Sequence, residues 1–176
     1  GWNGIHFMTI AGTDNSVFSN NIIKDCKYGY SSAVLYSNAF TCYRQLVIKN
    51  CTFEHNTSGT GLYVADGMVT LSTQNVNDTI VFDRCVVKNC YSVFGFVRNE
   101  NYWGGHTSIT NSKIHDNHLG SAIFGNWNNL LIDGNEIYNN DSELDNSAIR
   151  ISTGNVIIRN NKIHHNPCEK LATIGC

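Results

Sequence analysis

The chain has 176 residues, 41% of them hydrophobic and 15% charged, with a formal net charge of −2. That length fits one domain, and no basic excess exists to draw in a polyanion or an anionic membrane surface. The apolar runs are a few residues long, far short of a bilayer span, so neither nucleic acid nor membrane insertion is expected.

Asparagine supplies 25 residues, glycine 15 and proline one, Pro167. Asn competes for backbone hydrogen bonds in helices and tolerates the left-handed turn conformation, so this composition predicts strands joined by tight turns. The opening Gly1-Trp2-Asn3-Gly4 holds neither Met nor a basic stretch and reads as a mature or excised segment.

In chain order, six segments align without gaps: 18–23, 48–53, 82–87, 109–114, 132–137 and 158–163. Each has an apolar anchor (Phe18, Ile48, Phe82, Ile109, Ile132, Ile158), a two-residue Asn-like corner, and an apolar residue five positions after the anchor. The anchors lie 30, 34, 27, 23 and 26 residues apart. Eight positions after the anchor stand Cys26, Asn56, Cys90, Asn117, Asn140 and Asn166. Leu46, Ile80, Leu130 and Val156 precede their anchors by two, the alternation of a strand running into a corner. A third strand is predicted around each repeat, at 4–7, 33–36, 61–64, 93–96, 122–125, 148–151 and 172–174.

Three short strands in each coil of 23 to 34 residues predict a parallel β-helix, an all-β solenoid of about six coils forming a single domain over 1–176. Asn at successive corners has a mechanism, since it takes the turn conformation and its amide can bond the like amide one coil away. The Ile-x-Asn-Asn-x-Ile-x-x-Asn segments, cleanest from Ile158 to Asn166, resemble the right-handed parallel β-helix superfamily of pectate lyases, tailspikes and adhesins. That resemblance implies the fold and is nearly silent on activity.

Seven cysteines point to an oxidising compartment and an extracellular location. Cys51 and Cys85 share the position three after the anchor in consecutive coils, about 4.8 Å apart by strand stacking, which predicts a disulfide. The alternative is two buried thiols standing in for corner asparagines. Cys26 and Cys90 share the other column but skip a coil; Cys42, Cys168 and Cys176 are unassigned. Asn50, Asn56, Asn77 and Asn140 head N-x-S/T sequons and are candidate glycosylation sites. The chain begins and ends inside predicted strands with no amphipathic helix as a cap. It therefore reads as a piece of a longer solenoid or a unit that stacks end to end, with a loop cap at 171–176 as the alternative.

Enzymes on this fold carry outward acids with Arg or Lys on one strand stack. Here the third-strand stack is assigned an outward column of His6, Leu35, Tyr63, Gly95, Phe124 and Arg150, an apolar face suited to assembly. It shows neither paired carboxylates for acid–base cleavage nor converging oxygen ligands for calcium, and no cofactor or metal is expected. Asn-Thr-Asp, Gly-His-Gly, Arg-x-Pro-x-x-Arg and Asp-Pro-His motifs of β-helix enzymes are missing. His115, Tyr138 and His164 share one column, but its two histidines lie about 10 Å apart, too far for a shared ion, and read as solvated. Tyr102 and Trp103 in a long polar loop, with Trp127 one coil on, form a candidate platform for sugar rings or a partner, or else fold back over turn backbone. The leading expectation is a non-catalytic structural or adhesive module, building a filament through self-association or continuation of the solenoid. The runner-up is a polysaccharide lyase, hydrolase or epimerase fragment, and the third reading a carbohydrate-binding module.

Overall fold

The computed structural model describes residues 8–10, 15–26, 35–37, 45–58, 68–71, 73, 75–100, 105–126, 128–142, 148–152, 154–167 and 174–175. Their strands form three parallel sheets, each built from one strand per coil. The anchor sheet runs Ser16–Ser19, Gln45–Lys49, Thr79–Asp83, His106–Thr110, Asn129–Asp133 and Asn155–Arg159. The middle sheet stacks Ile22–Lys24, Thr52–Glu54, Val86–Lys88, Lys113–His115, Glu136–Tyr138 and Lys162–His164. The return sheet stacks Met8–Ile10, Leu35–Ser37, Val69–Leu71, Tyr91–Glu100, His118–Asn126, Ile149–Ile151 and Ile174–Gly175, with Thr57–Ser58 added beside Tyr91–Glu100. The chain is a parallel β-helix.

All six anchors form one unbroken column, Phe18 on Ile48 on Phe82 on Ile109 on Ile132 on Ile158. A second column carries the apolar residue five positions on: Ile23, Phe53, Val87, Ile114, Ile137 and Ile163. These side chains face a common interior, where Ile48, Phe53, Phe82, Val87, Ile109, Ile114, Ile132 and Ile137 are fully buried. The rings of Phe53 and Phe82 lie 6.4 Å apart across the corner.

Each coil makes its two corners with one left-handed residue apiece. Asn20, Asn50, Arg84, Asn111, Gly134 and Asn160 have φ between 50° and 68° at the first corner, and Asp25, His55, Asn89, Asp116, Asn139 and His165 between 51° and 57° at the second. Asn, Asp and Gly reach this conformation at least cost, which explains why they recur at five-residue spacing. The residue after each left-handed corner turns inward and bonds the coil before it. At the first corner Asn161 Nδ2 donates to Ile132 O (2.9 Å) and Asn135 Nδ2 to Ile109 O (2.8 Å), while Asn135 N–H donates to Asn161 Oδ1 (2.8 Å). At the second, Asn56, Asn117, Asn140 and Asn166 Nδ2 donate to the carbonyls of Ile23, Val87, Ile114 and Ile137 at 2.9–3.0 Å. Two ladders of inward corner residues therefore run along the solenoid, Asn21–Cys51–Cys85–Ser112–Asn135–Asn161 at the first corner and Cys26–Asn56–Cys90–Asn117–Asn140–Asn166 at the second.

The return sheet departs from the sequence reading. Its columns are Met8–Leu35–Val69–Val97–Ile123–Ile149–Ile174 and Thr9–Tyr36–Thr70–Arg98–Phe124–Arg150–Gly175. Val69, Val97, Ile123 and Ile149 are fully buried, so Leu35 stands in the register of the inward column, not the outward one assigned to it. The pairing also slips between Ser92 and Gly95, which sets Gly95 opposite Ser121. A one-residue slip reverses which face every later side chain occupies. Glycine is needed there, because a Cβ at Gly95 would sit 2.7 Å from Phe124 Cβ.

Candidate functional site

The middle sheet presents two outward rows. Four positions after the anchors stand Ile22, Thr52, Val86, Lys113, Glu136 and Lys162; six after stand Lys24, Glu54, Lys88, His115, Tyr138 and His164. In the first row Glu136 is gripped from both axial neighbours, by Lys162 Nζ at 2.9 Å and Lys113 Nζ at 3.2 Å. Those hydrogen bonds pull its carboxyl down to about 2 from an ordinary 4.5. In the second row Lys88 Nζ meets Glu54 Oε1 at 3.0 Å, and that contact lowers Glu54.

The histidine column is a ring stack. Tyr138 lies between His115 and His164 with centroids 4.7 and 5.2 Å apart and planes within 2° of parallel. His115 Nδ1 is 2.7 Å from Asp116 Oδ2, and His164 Nδ1 is 2.7 Å from His165 Nδ1. The two column histidines, expected to be solvated, are thus partly covered, each with one ring face against the tyrosine. Among the described residues no three His, Cys, Asp or Glu side chains converge to hold a metal.

A depressed carboxylate contributes stability above its unfolded value that is lost as pH falls through its folded value. The stability difference between the wild type and Glu136→Gln is therefore expected to be largest near neutral pH. It should shrink between about pH 4.5 and about pH 2, measured by denaturant unfolding across that range.

On the anchor sheet, Asp83 accepts from Arg84 Nε (2.7 Å), Thr110 Oγ1 (2.8 Å) and Asn111 Nδ2 (2.9 Å). Burial works to raise this carboxyl, and bonds from Asn111, Thr110 and Arg84 outweigh it. Two coils on, Asp133 is held by Asn160 and Arg159 and is likewise lowered. Asp116 is lowered by His115 and Asn139. A shallow open groove of about 350 Å³ crosses this face between His106, Ser108, Asn129, Leu131, Asn155 and Ile157.

Of the residues proposed for an apolar assembly face, Leu35 stands in the other register column of the return sheet. Tyr63 lies outside the described residues, as do Tyr102, Trp103 and Trp127 of the aromatic platform. Phe124 and Arg150 do share the outward column, but Phe124 is sandwiched between the guanidiniums of Arg98 (5.5 Å) and Arg150 (5.6 Å). That makes the column cationic and aromatic, favoured by cation–π attraction. Arg98 escaped the sequence reading because the slip beside Gly95 hides its register.

The expected Cys51–Cys85 bond is not formed. Both are buried free thiols, as are Cys90 and the partly buried Cys26. Each stands in for a ladder asparagine: Cys51 Sγ donates to Phe18 O (3.7 Å), Cys85 Sγ to Ile48 O (3.6 Å) and Cys90 Sγ to Phe53 O (3.6 Å). Of the sequon asparagines, Asn50 and Asn77 are exposed. Asn56 and Asn140 are 1% and 0% exposed, and their amide nitrogens are committed to the ladder, so the folded chain offers neither to a glycan.

The family model described as "Right handed beta helix region" matches residues 38–171. The chain belongs to that family. No curated protein and no solved structure matches this right-handed β-helix. The match covers five of the six anchors and both ladders from Asn56 onward, the same features that build this fold.

Proposed function

We propose that this β-helix is a non-catalytic structural or adhesive module acting outside the cell. One observation carries the reading: among the described residues, every carboxylate whose ionisation is shifted is shifted down, by axial or corner partners that hold it ionised. A general acid working near neutral pH needs the opposite, a carboxyl raised by burial or by a like charge. Glu54, Asp83, Asp116, Asp133 and Glu136 are spent on tying coil to coil, which serves a rod and not a reaction. The exposed sequon asparagines Asn50 and Asn77 are compatible with the extracellular location.

Incubation with a panel of acidic and neutral polysaccharides tests the proposal. No unsaturated uronate and no new reducing ends are expected. Turnover that Glu136→Gln or Asp83→Asn abolishes would overturn it. Images of the native material are expected to show rods or surface-attached fibres.

A further inference from the structure

Four described cysteines occupy ladder positions, but only two are axial neighbours. Cys51 and Cys85 lie in the first-corner ladder of consecutive coils, bracketed by the register pairs Ile48 on Phe82 and Thr52 on Val86. Cys26 and Cys90 lie in the second-corner ladder with Asn56 between them, and Asn56 bonds both Cys26 N–H and Ile23 O. Register alone therefore places one thiol pair, and one only among the described residues, at about the 4.8 Å separation of stacked parallel strands. That falls inside the Cα range a disulfide spans without backbone movement.

We propose that Cys51 and Cys85 form an oxidisable pair that closes into a staple between the second and third coils. Both sulfurs turn into the ladder, where their present bonds are weak. Cys51 Sγ donates to Lys49 O at 3.3 Å and Cys85 Sγ to Asp83 O at 3.3 Å, besides the longer contacts to the coil before. An amide in either place would donate to a carbonyl and accept a backbone N–H; a thiol gives up little when its hydrogen leaves.

The oxidant is a small-molecule disulfide of the glutathione type, which reaches the two buried thiols when the coils open locally. The thiolate of one cysteine attacks one of its sulfurs and releases one small thiol. The sulfur of the other cysteine, losing its proton, then displaces the second small thiol from the mixed disulfide. The protein loses two hydrogens and two electrons, and the reagent gains both as two thiols. The closed bond would span the loop of residues 51–85, and so constrain the unfolded chain where the coil spacing is longest.

The experiment equilibrates the folded protein in glutathione buffers from fully reducing to fully oxidising, traps free thiols by alkylation and maps the peptides by mass spectrometry. The expected result is one peptide linking Cys51 to Cys85, with Cys26 and Cys90 alkylated throughout. The oxidised form should melt about 5–10 °C above the reduced form, and Cys85→Ser should abolish the shift. Cys51→Ser serves as a second variant should Cys85→Ser fold poorly, since its thiol lies nearer the first coil. Full alkylation of Cys51 and Cys85 in the most oxidising buffer, or Cys51 linked to any other cysteine, would overturn the proposal.

Discussion

Replacing Asn140 by leucine is expected to destabilise the protein by about 3–5 kcal/mol, read as a lower denaturant midpoint at unchanged slope. The side chain is fully buried. Its Nδ2 donates to Ile114 O and to Asn166 Oδ1, and its Oδ1 accepts from Asn117 Nδ2, each at 2.9 Å. Leucine fills similar volume but satisfies none of these groups. It strands a carbonyl and an amide donor in the interior, at about 1–3 kcal/mol each. Asn140→Ser, which keeps a donor and an acceptor as Ser112 does in the other ladder, should cost clearly less. If Leu and Ser behave alike, the ladder is not a hydrogen-bonded device but a matter of volume.

Phe82→Ala is expected to cost about 3–5 kcal/mol, the usual range for emptying a large aromatic site in a core. Phe82 is fully buried in the anchor column between Ile48 and Ile109 and faces the ring of Phe53 from the adjoining sheet. Its neighbours are fixed by strand pairing on both sides, which limits how far they can relax into the void. Hydrogen exchange should show the loss centred on Gln45–Lys49, Thr79–Asp83 and His106–Thr110, because coils in a solenoid contact only adjacent coils. A loss spread evenly over all strands would instead mark one global cooperative unit.

The anchor and middle sheets could be read from the residues because their connection has fixed length. Anchor to second apolar residue is always five, so Ile109 and Ile114 keep the same phase as Ile158 and Ile163, and alignment alone yields the columns. The return sheet could not be read in this way. Its strands follow stretches of variable length, so Leu35 and Phe124 looked equivalent when one belongs to the inward register and the other to the outward. Nor does any one-letter pattern reveal the slip beside Gly95 that brings Arg98 onto Phe124. The left-handed residues seven after the anchor escape a letter pattern because Asp, His and Asn interchange there, sharing only a positive φ. The column of His115, Tyr138 and His164 is legible in the residues, but a spacing argument gives distances along the axis and not the parallel ring planes that make it a stack.

The two corners sit five residues apart in every coil, and that constancy divides the molecule into a part that cannot vary in length and a part that can. One residue added between Asn111 and Asp116 would throw both lattices of amides out of step at once. The stretch from each second corner round to the next anchor already differs by as many as eleven residues between coils, 34 against 23, without disturbing either. Lineages descended from this chain can therefore lengthen, shorten and redecorate one flank while the opposite edge stays as invariant as the teeth of a gear.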